Sequence, residues 1–259
     1  MLNATILFSS ITRDYSQSLQ TVAKEPTVDR ETTYFLANIG NIKTASQLVN
    51  NSNLYTYVMT AFGLSDMTNA KALITKVLTD GTGAKSFAQS LNDPRYMELA
   101  KAFNFQANGA DTTSNSSNMT TAVTNFYEQT LENNMAQENQ GAQMALYFKR
   151  MAPNITSAYS ILGDKTLLQV VETALNLPTS LSLENTDVQA QEVSSLLNIS
   201  QLQNPTYLQN FLNRFTAAYD SQNPTGGVSS TPANALLVTS PGISSSLLLS
   251  LANLKLGGS

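Results

Sequence analysis

Residues 34–64 align without a gap on residues 147–177, at a constant offset of 113. Ten of the 31 aligned positions are identical: Tyr34/Tyr147, Phe35/Phe148, Asn41/Asn154, Ile42/Ile155, Ala45/Ala158, Leu54/Leu167, Val58/Val171, Thr60/Thr173, Ala61/Ala174 and Leu64/Leu177. Unrelated segments would share roughly two. A chain that carries one segment twice is constrained to build two similar units, and the exchanges between the copies say what kind. Asp164 stands where the first copy has Asn51, and either residue caps a helix N-terminus. Asn176 stands where the first copy has Gly63, and Asn is the best substitute for Gly in the left-handed conformation. The spacing therefore predicts the same helical backbone in both copies.

The rest of the chain extends this pattern. Leu7, Ile11, Tyr15, Leu19 and Val22 make one apolar stripe, which predicts a helix ended by Pro26. That stripe reads either as a core helix or as a partner-seeking face. The first unit then runs as a helix over 28–39, ended by Gly40 in the C′ place. A short helix follows over 44–50, then one capped by Asn51 or Ser52, then one capped by Ser65 through Leu78. A short segment spans 85–91, and Asn92-Asp93-Pro94 opens a last helix to Phe105. The second unit closes alike, with Leu202-Gln203-Asn204-Pro205-Thr206-Tyr207 matching Leu91-Asn92-Asp93-Pro94-Arg95-Tyr96. In between, 185–197 reads as one helix, capped near Asn185 or Thr186. Residues 106–118 are rich in Asn, Ser, Thr and Gly and read as a polar linker. A long helix from Met119 is expected to run into the second copy near Tyr147, softened at Gly141.

The expected fold is thus all-α: two pseudo-repeated multi-helix units joined by a polar loop and long helix, with an irregular C-terminal tail. Its segments are an amphipathic helix over 1–25, a first unit over 26–105, a connecting region over 106–145, a second unit over 146–220 and a tail over 221–259. The tail holds breakers and then Ile243 to Leu254, apolar, uncharged and Ser-rich. It reads as a core strand or helix, or as an exposed segment awaiting a partner subunit.

Composition narrows the chemistry. The chain has no Cys, no His and no Trp. A disulfide framework, a thiolate zinc site and the commonest acid–base group are therefore absent. Charged residues make up only 12% of the chain, about half the usual share. The net charge of −4 provides no electrostatic footprint for nucleic acid. No stretch reaches the roughly 20 apolar residues of a membrane span, and the N-terminus does not read as a secretory signal. Thr79 to Lys85 is a poor phosphate loop, with Ala84 where Gly must precede Lys. No acidic cluster has calcium-loop spacing, and the scattered acids read as solvated helix faces. The paired aromatics Tyr34-Phe35 and Tyr147-Phe148 read as core anchors. No catalytic residue, cofactor, metal or small-molecule ligand is expected. A Ser–Lys or carboxylate pair assembled only by folding is the enzymatic alternative.

Several of these residues carry a resemblance. Tyr34-Phe35, Thr60-Ala61-Phe62-Gly63-Leu64, Lys76-Val77-Leu78, Phe87-Ala88 and Asp93-Pro94-Arg95-Tyr96, ending in Ala102-Phe103-Asn104-Phe105, resemble the family called domain of unknown function 1217. That family is associated with flagellar gene clusters of alphaproteobacteria. The resemblance covers 28–105; the second copy has drifted, with Ala174-Leu175-Asn176-Leu177 in place of Ala61-Phe62-Gly63-Leu64. The family offers no catalytic residues to carry over. It implies a structural or assembly component of the flagellum, exported without a Sec signal, periplasmic or extracellular. The partners it implies are axial or basal-body proteins, or a second copy of the chain. A cytoplasmic chaperone for axial subunits is the alternative. The surfaces expected to serve are the N-terminal stripe (Leu7, Ile11, Tyr15, Leu19) and the tail (Leu247, Leu248, Leu249, Leu251).

Overall fold

Side-chain caps sit at most helix starts among the described residues. In the computed structural model, which describes residues 2–224 apart from 179, 180 and 182, all regular structure is helical. Residues 2–223 belong to one compact unit. The expected tail, with Leu247, Leu248, Leu249 and Leu251, lies outside the described residues.

The N-terminal stripe forms two helices, not one. Helix α1 spans Ala4–Arg13 and α2 spans Tyr15–Ala23. Asp14 between them leaves the helical region and accepts a hydrogen bond from the Gln17 N–H at 3.0 Å. A cap of this kind stabilises by about 1 kcal/mol, and here it outweighs the continuity of the stripe. The start of α1 is capped from afar. The Asp220 carboxylate accepts from the Ala4 and Thr5 N–H groups at 2.7 and 3.0 Å and from the Thr5 hydroxyl at 2.7 Å.

The aligned segments then run through the same order of elements. In the first, α3 (Pro26–Asn38) leads through a 3₁₀ turn (Ile39–Asn41) to α4 (Ala45–Asn50) and α5 (Ser52–Ala61). Helices α6 (Lys71–Thr79), α7 (Phe87–Ser90), α8 (Pro94–Ala102), α9 (Phe105–Asn108) and α10 (Ser116–Glu138) follow. In the second, α11 (Gln140–Met151) leads through a 3₁₀ turn (Ala152–Asn154) to α12 (Ala158–Leu162) and α13 (Lys165–Leu175). Helices α14 (Thr186–Leu196) and α15 (Pro205–Gln222) complete the unit. Asn51 and Asp164 both cap, as their types predict. Gly63 and Asn176 both take positive φ, +66° and +53°.

Four local expectations fail, each for a visible reason. Gly40 does not end α3 in a left-handed turn; it sits inside the 3₁₀ turn, and its counterpart Pro153 shows that this position wants negative φ. Ser65 starts a short 3₁₀ turn, and α6 begins only at Lys71. The connecting helix breaks at Asn139, which adopts an extended backbone and caps α11 through the Ala142 N–H. Two residues on, Gly141 makes room for a ring: a Cβ there would lie 2.3 Å from Tyr219 Cδ1. The polar stretch over 106–118 is fastened down. Thr112 and Thr113 are buried, and the Thr113 hydroxyl donates to the Ile42 carbonyl at 2.6 Å.

One hydrophobic core runs through both aligned segments. Phe35 and Phe148 are fully buried in it. Phe35, Tyr57 and Phe126 stack in sequence at 4.3 and 4.0 Å between centroids, joining α3, α5 and α10. Each buried ring of this size contributes roughly 1.5–3 kcal/mol. Helix α10 packs on both α5 and α11, so it is the wall shared by the two halves.

Candidate functional site

The most concentrated chemistry lies where the halves meet. Asp93 caps α8, accepting the Arg95 N–H at 2.9 Å. It also accepts from the Arg95 guanidinium, with Nη2 to Oδ2 at 2.7 Å. The guanidinium reaches across to donate from Nη1 to the Gly63 carbonyl at 2.7 Å. Its Nε lies 3.7 Å from the Asp164 carboxylate of the second half. Asp164 is itself committed: it caps α13 through the Thr166 and Leu167 N–H groups at 2.8 and 3.0 Å and accepts from the Tyr147 hydroxyl. Burial opposes the charge on Arg95, but the bonds and charge of Asp93 more than offset it, so its pKa lies above the ordinary value. Burial, reinforced by Asp164, pushes the Tyr147 phenol well up, so Tyr147 stays a hydrogen donor.

A second cluster lies deeper. Arg150 of α11 bonds Glu132 of α10 at two points, Nε to Oε1 at 2.7 Å and Nη2 to Oε2 at 3.0 Å. Their side chains are 2% and 1% exposed, so neither charge has water as an alternative partner. Burial pushes the Glu132 carboxyl up, Arg150 pulls it down, and the two-point bond is that of an ionised pair. Glu98 of α8 accepts from Asn125 at 2.8 Å, but its other oxygen is buried without a hydrogen-bond partner, 4.0 Å from Arg150. Burial raises the Glu98 pKa, and Arg150 and Asn125 offset this only in part. At the rim, Tyr15 donates to Glu128 at 3.0 Å, and the Lys149 ammonium sits 3.9 Å from the centre of the Tyr15 ring.

These groups are occupied with one another. A cleft of about 470 Å³ opens beside them, between Gly63, Asp66, Arg95, Tyr147 and Lys165. Within it the arginine is already bonded, Asp164 is bonded three times, and the phenol is held protonated. Among the described residues, no three carboxylates gather in a way that would hold a metal ion. The arrangement fastens helices across the seam.

Two further clefts lie elsewhere. One, of about 780 Å³, runs between α12 and α14 past Tyr159 and Leu196. The other, of about 590 Å³, lies between α3, α5 and α10, with Val28, Tyr57 and Phe126 as its floor and Tyr34 on its rim. Tyr34 is 41% exposed, so this member of the paired aromatics is not a core anchor, whereas Tyr147 is buried. The N-terminal stripe packs on its own protein: Leu7 is buried, and Ile11, Tyr15 and Leu19 are half-buried against the main core. The reading of all the acids as solvated faces also fails, since Glu132, Asp93 and Asp164 are buried. Sequence carried a faint signal for one of them. Glu132 follows Leu131 on the inward side of α10, where a lone charge needs a partner.

Comparison with known proteins places this architecture. Residues 61–208 match the family described as a protein of unknown function, DUF1217, and the chain belongs to that family. The match begins at the end of α5, crosses the seam and ends in α15, so it spans parts of both halves. A crystal structure of a protein from Agrobacterium tumefaciens is similar, at 37% identity and a TM-score of 0.78, covering 86% of this chain and 98% of that one. No curated protein matches the chain.

Proposed function

We propose that this member of the family is a non-enzymatic component of the bacterial flagellum, structural or assembly-related, that works outside the cytoplasm through protein–protein contacts. The observation that carries the reading is family membership, taken with the association of that family with flagellar gene clusters. Composition supports it: a chain without Cys has no thiol to oxidise outside the cell. The seam is compatible with it, because its charged groups bond one another and fasten helices together. The two similar halves fit a scaffold made by duplication. Among the described residues, no helix is long and apolar enough to cross a membrane.

The test is an in-frame deletion in the native bacterium, complemented from a plasmid. Impaired swimming, with hooks or filaments altered in number or length and restored by the plasmid, is the expected result. Normal swimming with normal flagella would refute the reading. Altered flagella with the protein confined to the cytosol would assign it as a chaperone instead.

A further inference from the structure

Arg150 faces more carboxylates than it bonds. Glu132 accepts from Nε and Nη2, and Gln129 accepts a second bond from Nη2 at 3.0 Å. Nη1 is left with the Met151 sulfur at 3.5 Å, a weak acceptor. Glu98 reaches towards this guanidinium from α8 and stops short. Its Oε2 lies 4.0 Å from Nη1, beyond hydrogen-bond distance, and is buried without a partner. The other oxygen has one bond, from Asn125 at 2.8 Å.

The neighbours of Glu98 offer little else to balance a charge. From α10, Glu128 and Glu132 face it beside the neutral Asn125, and from α11 Arg150 does. On α8 itself, Arg95 is bonded to Asp93 and to the Gly63 carbonyl, and Lys101 reaches Asn154 at 3.5 Å. From α6, Lys71 and Lys76 lie over the rings of Tyr55 and Phe87. Helix α7 and the 3₁₀ turn Ala152–Asn154 carry no charged side chain. Glu98, Glu128 and Glu132 thus share one guanidinium, and Glu132 holds it. An ionised Glu98 would leave a charged oxygen buried without a hydrogen bond. A neutral carboxyl leaves only an uncharged oxygen unpaired, which costs less.

We propose that Glu98 keeps its proton in the folded protein through mildly acidic pH, and that losing it as pH rises loosens α8 from α10 and α11, so that the joint between the halves is a proton-sensitive latch. Burial favours the neutral carboxyl and outweighs Arg150 and Asn125. The folded state therefore holds a proton that the unfolded chain releases near pH 4.3, the ordinary glutamate value of about 4.3. The stability this contributes is complete below about pH 4.3 and is lost as pH rises through the folded-state value. The charge then falls on α8 opposite Glu128 and Glu132 of α10, and like charges in a poorly solvated joint repel. Helix α8 belongs to the first half and Arg150 to the second, so the strain lands on the contact between them.

The latch is independent of the flagellar role and is tested on the full chain in solution. The parent is compared with Glu98→Gln, whose amide copies the neutral carboxyl. Urea midpoints are read by circular dichroism from about pH 4 to about pH 8, a range that starts near the ordinary glutamate value. The two proteins are expected to converge towards pH 4, with the variant moving ahead by about 0.7 M for each pH unit between the unfolded and folded values of Glu98. Hydrogen exchange, corrected for its intrinsic pH dependence, is expected to speed up in α8 of the parent over the same range and to stay level in the variant. With carbon-13 at the glutamate carboxyls, one resonance of the parent, missing from the variant, is expected to titrate above the ordinary glutamate range. Midpoints that stay parallel, or a Glu98 resonance that titrates in or below that range, would overturn the proposal. So would a variant that fails to fold or is the less stable near neutral pH, because an ionised Glu98 would then be what ties α8 to Arg150.

Discussion

Arg150→Met is expected to destabilise the protein severely, and adding Glu132→Leu is expected to restore most of the loss. The reason lies in what each change leaves behind. Arg150 and Glu132 are 2% and 1% exposed, and they bond at 2.7 and 3.0 Å. Removing the arginine leaves Glu132 buried without a countercharge and Glu98 without the cation 4.0 Å away. Breaking a buried pair in this way costs about 3–5 kcal/mol. Replacing both members with apolar groups removes the uncompensated charge, and such exchanges are often neutral or stabilising. The assay is urea unfolding followed by far-UV circular dichroism and by tyrosine fluorescence, since the chain has no Trp. With a slope of about 2 kcal/mol per molar, the single variant should lose about 1.5–2.5 M in midpoint. The double variant should fall within about 1 M of the parent. A pH series adds a signed check. In the single variant, burial raises the folded-state pKa of Glu132 above its unfolded value near 4.3. The folded state then binds the extra proton, so the deficit is small below about pH 4 and grows as pH rises. A single-variant loss under about 1 kcal/mol, or a double variant as unstable as the single, would refute the reasoning.

Other consequences follow from the same geometry. Gly163→Ala places a Cβ against backbone at Asn92 rather than against a yielding side chain; it should cost about 1–3 kcal/mol in urea unfolding, and a neutral result would mean the seam is looser than described. Asp220→Ala removes the remote cap of α1; it should cost about 1 kcal/mol and speed hydrogen exchange at residues 5–8 more than in α5. Burial pushes the phenols of Tyr147, Tyr15 and Tyr57 above the ordinary tyrosine value. A raised phenol pKa means the folded state keeps protons that the unfolded chain releases, so stability present below about pH 10 is lost above it. Ultraviolet titration should show these phenols ionising only together with unfolding.

Local capping made much of the helical plan legible. Asp93 and Asp164 cap helices where their types and neighbours predict, and of the paired candidates Asn51 or Ser52 and Asn185 or Thr186 it is the asparagine that caps. The exchange of Gly63 for Asn176 announced a left-handed residue that both copies show. The breaks were harder to see. Asp14 and Asn139 interrupt runs whose apolar pattern continues across them, and nothing local says whether a polar residue will cap or face water. Tertiary contacts decided the rest. Gly141 reads as a soft spot until Tyr219, 78 positions later, is known to press on it. Nothing local to Arg150 shows that Glu132, 18 positions earlier, is placed against it. The exposure of Tyr34 was illegible for the same reason. Its duplicate Tyr147 is an identical residue in an identical local pattern, and only the covering half makes one buried and the other exposed.

The reading of this chain as part of the flagellum is tested most directly by quantitative mass spectrometry of purified hook–basal bodies and filaments from the native bacterium, with cytosol in parallel. The account predicts that peptides of this protein are enriched in the flagellar fractions and vanish from the deletion strain. Recovery from cytosol alone, with none in hook, basal body or filament, would contradict it.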